Sequence, residues 1–470
     1  MKLFALILFL LFPLLTGAQS GRAPVAAENT DGSASGSTVK QLFEDTNGYI
    51  RAKAAEFEAK KVAFSDRLLD KVKLEQRQLA AKNAAIAAAR KDLAGEDLYY
   101  LGMLHWIAEN LDGTADNLKK FIAADTGPEP RRQTARSVVV VVLAKQRKLE
   151  EAEALLAAYL KTEPTKPTER ARIEVEMAKG YKLARDFARM APHAEEGYAA
   201  AKALLKESAS RARGLDEILD AGMLVFEAYR DLGNQKKADE ALDDMRVTAV
   251  VLQSPSFYYF AVDRRITYMI ETGRKPAALA FYAAEMANGV KGFVIKTAEN
   301  DAVSRLKRRD RHYKILGEAA PDLPMVDQWF PGPKKTMADL RGKVVLLDFW
   351  AMWCMPCFEA FPSLIEWHQQ LSGQGFEILG VTRYYETLGG VPIERPAEMQ
   401  VLKRFREKEK LPYDFVVGDG QAIQLLYGGT ALPTAVLIDR KGVVRYVESG
   451  ANSMRLVELR EMIAKLLAEK

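Results

Sequence analysis

The sequence predicts a multi-domain chain in which an all-α region of helical repeats is followed by a smaller α/β domain. Between residues 39 and 300, Ala, Leu, Lys, Glu and Arg dominate and prolines fall mainly between segments, the composition of packed helices. From Gly317 onward, short β-branched runs alternate with amphipathic stretches, the mark of α/β structure. The size agrees, because 470 residues exceed the ~100–200 of a single domain, and 48% hydrophobic content is ample for buried cores. With 68 Lys+Arg against 63 Asp+Glu, the net charge of +5 is too thinly spread to argue for nucleic acid. Two cysteines cannot make a disulfide scaffold, and with four histidines there is little material for a zinc cage, so no metal or cofactor is expected.

The elements follow in order. Lys2, the apolar run 3–15 and Thr16-Gly17-Ala18 have the order of a secretory signal, with cleavage expected after Ala18 (1–18). The run is shorter than the ~20 residues of a membrane span, and Ala18 stands where a lipidated cysteine would be. Residues 19–38 are rich in Ser, Gly, Ala, Asn and Asp and read as a flexible lead-in. The mature chain is therefore expected to be exported, periplasmic or otherwise extracytoplasmic, and soluble.

In residues 39–300 an apolar helix, a short polar turn and a helix opening on small residues recur. Residues 101–110 turn at Asp112-Gly113 into Ala115, and residues 138–144 turn at Arg147-Lys148 into Ala152. Residues 223–230 turn at Leu232-Gly233-Asn234 into Ala238, and residues 266–270 turn at Thr272-Gly273 into Ala277. Ala115 to Ala152 is 37 residues and Ala238 to Ala277 is 39, while residues 170–215 fit the period poorly. A helical hairpin cannot bury its own apolar face, so a period somewhat above ~34 residues implies stacked hairpins. The region resembles tetratricopeptide repeats in its small-residue second helices and in the turn Asp231-Leu232-Gly233-Asn234, without their full Trp and Tyr signature. That resemblance implies a concave surface for a protein partner; the plainer reading is a helical domain that positions the rest. Val138 to Val142 read as a buried helix rather than a strand, and His105 and His193 as packed residues. Residues 301–316 carry Arg305, Lys307, Arg308, Arg309, Arg311 and Lys314 and read as a solvated basic connection between domains.

The chemistry lies in residues 317–470. Val344 to Trp350 is an apolar run broken only by Asp348, as in a central strand covered on both faces. It leads into Trp353-Cys354-Met355-Pro356-Cys357, after which Phe358, Phe361, Ile365 and His368 fall at helical spacing. The cysteines thus sit at a strand-to-helix corner, where helix N–H groups stabilise a thiolate and draw the leading thiol's pKa from ~8.5 into the range ~3.5–7.5. Cys354, exposed at the corner, is the expected nucleophile, and Cys357, one turn in, resolves the mixed disulfide. A zinc half-site would need two further ligands, and haem attachment would need His where Phe358 stands. A static disulfide is the remaining alternative.

These residues resemble the thioredoxin superfamily and, within it, the exported TlpA-like thiol–disulfide oxidoreductases related to the AhpC/TSA redoxins. Asp348-Phe349-Trp350-Ala351 resembles the active-site strand, and Pro362 the proline in the active-site helix. Ala319-Ala320-Pro321-Asp322-Leu323 and Leu340-Arg341-Gly342-Lys343 resemble the family's lead-in. Tyr427-Gly428-Gly429 with Leu432-Pro433-Thr434 resembles the approach to its cis-proline, and Asp439-Arg440-Lys441-Gly442 its last hairpin turn. The resemblance implies a thioredoxin fold in which Pro433 is the cis-proline facing Cys354, Asp348 handles a proton near the second cysteine, and Trp353 shapes the disulfide's surroundings. Phe358 and Ala360 depart from the basic residue and glutamate common there, and residues 383–396 fall in the family's variable insertion, with no role assigned.

The expected function is thiol–disulfide oxidoreduction on protein disulfides or thiols, in the reductase or isomerase direction, served by a separate thiol reductant protein and with a possible partner on the helical repeats. One rival is a thiol peroxidase, but Ala351 stands where the Thr or Ser of a peroxidatic site would be. Another is a helical scaffold with a structural disulfide.

Overall fold

A computed structural model of the protein describes residues 36–63, 65–205, 214–288, 292–450 and 453–469. The expected signal sequence and most of the lead-in lie outside the described residues. No described helix is long and apolar enough to cross a membrane. The chain divides into two compact units, Met1–Leu242 and Asp243–Lys470. The division falls within the helical stretch and not at the change of composition near residue 300, so helices Pro255–Glu271, Lys275–Asn288, Lys296–Arg308 and Asp310–Ile315 belong to the second unit.

The first unit is helical throughout its described residues, and successive helices form antiparallel hairpins. Helix Glu96–Ile107 folds back on Leu111–Ala123 so closely that a Cβ on Gly102 would lie 2.6 Å from Leu118. The reversal is at Glu109-Asn110, not at Asp112-Gly113 as the glycine suggested. Glu109 takes φ +60°, and the Asn110 side chain accepts from the Gly113 N–H at 3.0 Å, so Asp112 and Gly113 fall inside the first turn of the next helix. Val138 to Val142 are wholly buried within helix Glu129–Lys145, where β-branched side chains fill the core at little cost to a helix enclosed on all sides. Within residues 170–215, helices Pro167–Ala184 and Phe187–Leu204, of 18 residues each, form a hairpin, and residues 206–213 lie outside the described residues. His193 stacks on Tyr181 and bonds to Glu174 and Glu153 at 2.5 and 2.9 Å, a packed polar cluster.

In the second unit, strands β1 (Val326–Phe330), β2 (Val344–Phe349), β3 (Phe376–Arg383), β6 (Asp414–Gly418), β7 (Thr434–Ile438) and β8 (Val444–Ser449) form one mixed sheet in the order β1-β6-β3-β2-β7-β8. A short hairpin, β4 (Thr387–Leu388) and β5 (Val391–Pro392), stands apart. Strands β2, β3 and β6 are parallel, while β1, β7 and β8 run antiparallel to their neighbours. Every residue of β2 is buried, as its apolar run requires. Helix Met355–Leu371 covers one face with Cys357, Ala360, Phe361, Leu364 and Trp367, and Leu459, Ile463 and Leu466 of helix Ser453–Ala468 join the same core.

Edge strand β8 is covered where it begins. Gly317 N–H donates to Val444 O at 2.8 Å, Val444 N–H to Glu318 O at 2.9 Å, and Ala320 N–H to Gly442 O at 2.8 Å. Residues 317–320 thereby close a row of edge groups that would otherwise face solvent. The basic segment just before them is not wholly solvated, because Arg309 and His312 are buried.

Candidate active site

The strand-to-helix corner is built as the apolar run dictates. Strand β2 ends at Phe349, Trp350 is fully buried, and Cys354 is the N-cap of helix Met355–Leu371, with Pro356 in its first turn. The Cys354 N–H donates to Ala351 O and the Cys357 N–H to Cys354 O, both at 3.0 Å, which tightens the turn. Cys354 and Cys357 are joined as a disulfide, with their Cα atoms 5.4 Å apart. The sulfurs are less open than the corner position suggested, since Cys354 is only 2% exposed; its neighbours Trp353 and Met355 are 59% and 68% exposed and form the surface around it.

Trp353 meets the Tyr385 ring edge-on with centroids 5.4 Å apart, and Arg383 lies over that same ring at 4.1 Å. Tyr385 belongs to the region without an assigned role. The buried carboxylate of Glu398 accepts from the backbone N–H groups of Tyr385 and Glu386 at 3.0 and 2.9 Å. Gly389 and Gly390, at φ +59° and +84°, make the two-residue turn joining β4 to β5. Sequence reasoning missed Tyr385 and Glu398; the Gly-Gly pair was the signal for a hairpin beside the site.

Asp348 and Pro433 meet at one place. Register sets Asp348 on β2 opposite Ala435 on β7, and Ala435 opposite Glu448 on β8, so Asp348 and Glu448 flank a small residue on one sheet face. A cavity of about 30 Å³ lies there, lined by Asp348, Ala360, Pro433, Ala435, Glu448 and Arg455 among others, with room for water. Ala360 is three residues beyond Cys357 on the buried helix face, so the cavity reaches the side of the helix that carries the second sulfur. Burial alone pushes the Asp348 carboxyl up to about 7. Burial also raises Glu448, outweighing Arg309 and Arg455, each 3.2 Å from its carboxylate. The Leu432–Pro433 peptide is cis, and Pro433 O accepts from Gly450 N–H at 2.7 Å. Trp353 lies outside this group, on the surface.

A Cys-X-X-Cys disulfide capping a helix after a buried central strand, with a cis-proline loop and a buried aspartate on that strand, defines a thioredoxin-type site on a thioredoxin fold. Residues 316–447 match the model of the AhpC/TSA family. Over 135 residues, 29% of this chain, the sequence is 31% identical to the thiol-disulfide oxidoreductase ResA of Geobacillus thermodenitrificans and spans 70% of that protein. It is 30% identical over 170 residues, 35% of the chain, to protein DipZ of Mycobacterium tuberculosis, of which it covers 23%. A solved thiol-disulfide isomerase from Corynebacterium glutamicum is 26% identical, with 32% of this chain and 98% of that one covered and a TM-score of 0.27. The chain belongs to the thioredoxin superfamily as a TlpA-like, ResA-related thiol–disulfide oxidoreductase.

Proposed function

We propose that the Cys354–Cys357 pair cycles between dithiol and disulfide on exported protein substrates, in the reductase or isomerase direction. The observation that carries this reading is the position of Cys354 at the N-cap of a helix, with Cys357 buried one turn on and joined to it as a disulfide. The helix N–H groups favour the Cys354 thiolate, which attacks one sulfur of a substrate disulfide; a mixed disulfide forms and a substrate thiolate leaves. Cys357 gives up its proton and attacks the Cys354 sulfur, releasing the second substrate thiol. Two electrons pass to the substrate, the enzyme disulfide remains, and a separate thiol protein reduces it again. Asp348, held at about 7, is suited both to accept the Cys357 proton and to return it near neutral pH. Pro433 ends the loop whose backbone pairs with the substrate polypeptide, Trp353 with Tyr385 forms the surface on which it rests, and the helical repeats hold a partner. An extracytoplasmic location accords with residues 1–18, read as a signal sequence.

Equilibrating the protein with defined thiol–disulfide buffers and trapping free thiols tests the cycle. A potential near ~−270 mV is expected of a reductase, and one near ~−120 mV would reverse the direction. A pair still oxidised far below ~−300 mV would mean a structural disulfide and end this reading.

A further inference from the structure

The segment from Arg309 to His312 is built into the second unit by a set of contacts that converge on one loop. Arg309 Nε donates to Asp263 Oδ1 at 2.9 Å, and its Nη1 donates to Val447 O at 2.9 Å and lies 3.2 Å from Glu448 Oε2. Burial works against its charge, but Asp263 and Glu448 hold it firmly protonated. The same Nη1 is 2.8 Å from His312 Nδ1, and His312 Nε2 is 2.9 Å from Gly428 O. One neutral tautomer satisfies both contacts, with Nδ1 accepting from Arg309 and Nε2–H donating to the carbonyl. Between them Arg311 Nε donates to Leu426 O at 2.6 Å.

Val447 lies on β8, which pairs with β7 directly after Pro433, and Leu426 and Gly428 stand just before the turn that Pro433 ends. The approach is close on both sides of that turn. Gly428 adopts φ +74°, and a Cβ there would lie 2.5 Å from the His312 ring; a Cβ on Gly429 would lie 2.6 Å from the ring of Phe349, the last residue of β2. The loop is thus pinned between His312 and the strand that leads to the cysteines.

We propose that Arg309, Arg311 and His312 are positioning residues for polypeptide recognition, fixing the carbonyls of Val447, Leu426 and Gly428 so that the cis-proline loop is held in register for a substrate strand. The proposal rests on the reading of that loop as the element that pairs with substrate. Such residues act on a disulfide carried by a polypeptide and not on a small disulfide, which needs only the sulfurs.

The test uses the full mature chain with dithiothreitol as reductant, insulin as the protein disulfide and dithionitrobenzoate as the small one. His312→Leu raises KM for insulin about tenfold, the effect of one lost buried hydrogen bond. Its kcat and its rate with dithionitrobenzoate stay within about twofold of wild type. His312→Gln, whose amide N–H reaches the same carbonyl, restores KM. Arg311→Ala, at a part-buried side chain and so tolerated by the fold, repeats the rise in smaller measure and decides the matter should His312→Leu not fold. An equal fall on both disulfides, or an unchanged KM in the variants, overturns the positioning role. Wild-type protein that reduces neither disulfide overturns the dithiol cycle itself, and the positioning role with it.

Discussion

Burial holds the Asp348 carboxyl at about 7, against 3.8 for a free aspartate, and the consequence is measurable without knowing the substrate. An unfolded chain releases this proton near 3.8, so between there and about 7 the folded state keeps a proton the unfolded state has lost. The Asp348 contribution to stability therefore falls as pH rises through that window and is lowest above it. At about 1.36 kcal/mol per unit, the roughly two units between pH 5 and pH 7 amount to about 3 kcal/mol. Asn cannot ionise, so Asp348→Asn lacks this slope. Relative to wild type, the variant gains about 3 kcal/mol between pH 5 and pH 8, whatever constant offset the amide adds. Urea unfolding of the oxidised protein at the two pH values, followed by tryptophan fluorescence, reads the effect. Of the five tryptophans, Trp329, Trp350, Trp353 and Trp367 lie in the second unit, so the signal reports mainly on its transition. The expected change in the difference between midpoints is roughly 1 M urea. A difference that is the same at both pH values would refute the burial argument and remove the reason to assign Asp348 a proton-carrying role.

Three further outcomes follow from the same geometry. Cys357→Ser should accumulate a mixed disulfide through Cys354 when offered oxidised protein, detected as an increase in intact mass; accumulation by Cys354→Ser instead would reverse the nucleophile assignment. Gly428→Ala, at φ +74° with its Cβ 2.5 Å from the His312 ring, should destabilise the second unit by about 2 kcal/mol or more, and a wild-type melting midpoint would contradict the close approach. His312, pushed down to about 4 by burial and then by the Arg309 charge, leaves the folded state unable to take up a proton that the unfolded chain binds below 6.5. The His312 contribution to stability should therefore fall as pH drops from 6.5 toward 4, so that in urea unfolding wild type loses up to about 3 kcal/mol relative to His312→Gln over that window.

What was legible in the sequence was local. The apolar run of β2, the spacing of Cys354 and Cys357 and the helical period after them are set by neighbours within a few residues, and each element appears where those neighbours put it. Asp348 stood out because a charge inside an apolar strand is conspicuous. Arg309 was read as solvated because the composition around it is basic, yet its partners Asp263, Val447 and Glu448 lie far away in sequence, and a buried guanidinium looks like any other until they are placed. The same limit hid the division at residue 242: helix propensity does not change there, and only tertiary contacts assign the later helices to the second unit. At Glu109-Asn110 the glycine nearby drew attention from the residue that does the capping.

Asp348 and His312, both buried in the second unit, oppose each other. Asp348 lowers stability as pH rises from 3.8 to about 7, and His312 raises it as pH rises from about 4 to 6.5. The two contributions, about 4 and about 3 kcal/mol, oppose each other between pH 4 and 6.5, so the wild-type profile there is shallower than either alone, and Glu448, also raised by burial, adds to the Asp348 side. Each single substitution should tilt the profile in its own direction. The groups are joined by one row of contacts: Glu448 lines the cavity of Asp348 and pairs with Arg309, and Arg309 donates to His312. His312 must stay neutral for its Nδ1 to accept that donor and its Nε2–H to hold Gly428 O, whereas the role proposed for Asp348 requires it to change charge. Low solvation serves both ends of the row, fixing one group in a single protonation state and placing the other where it can exchange.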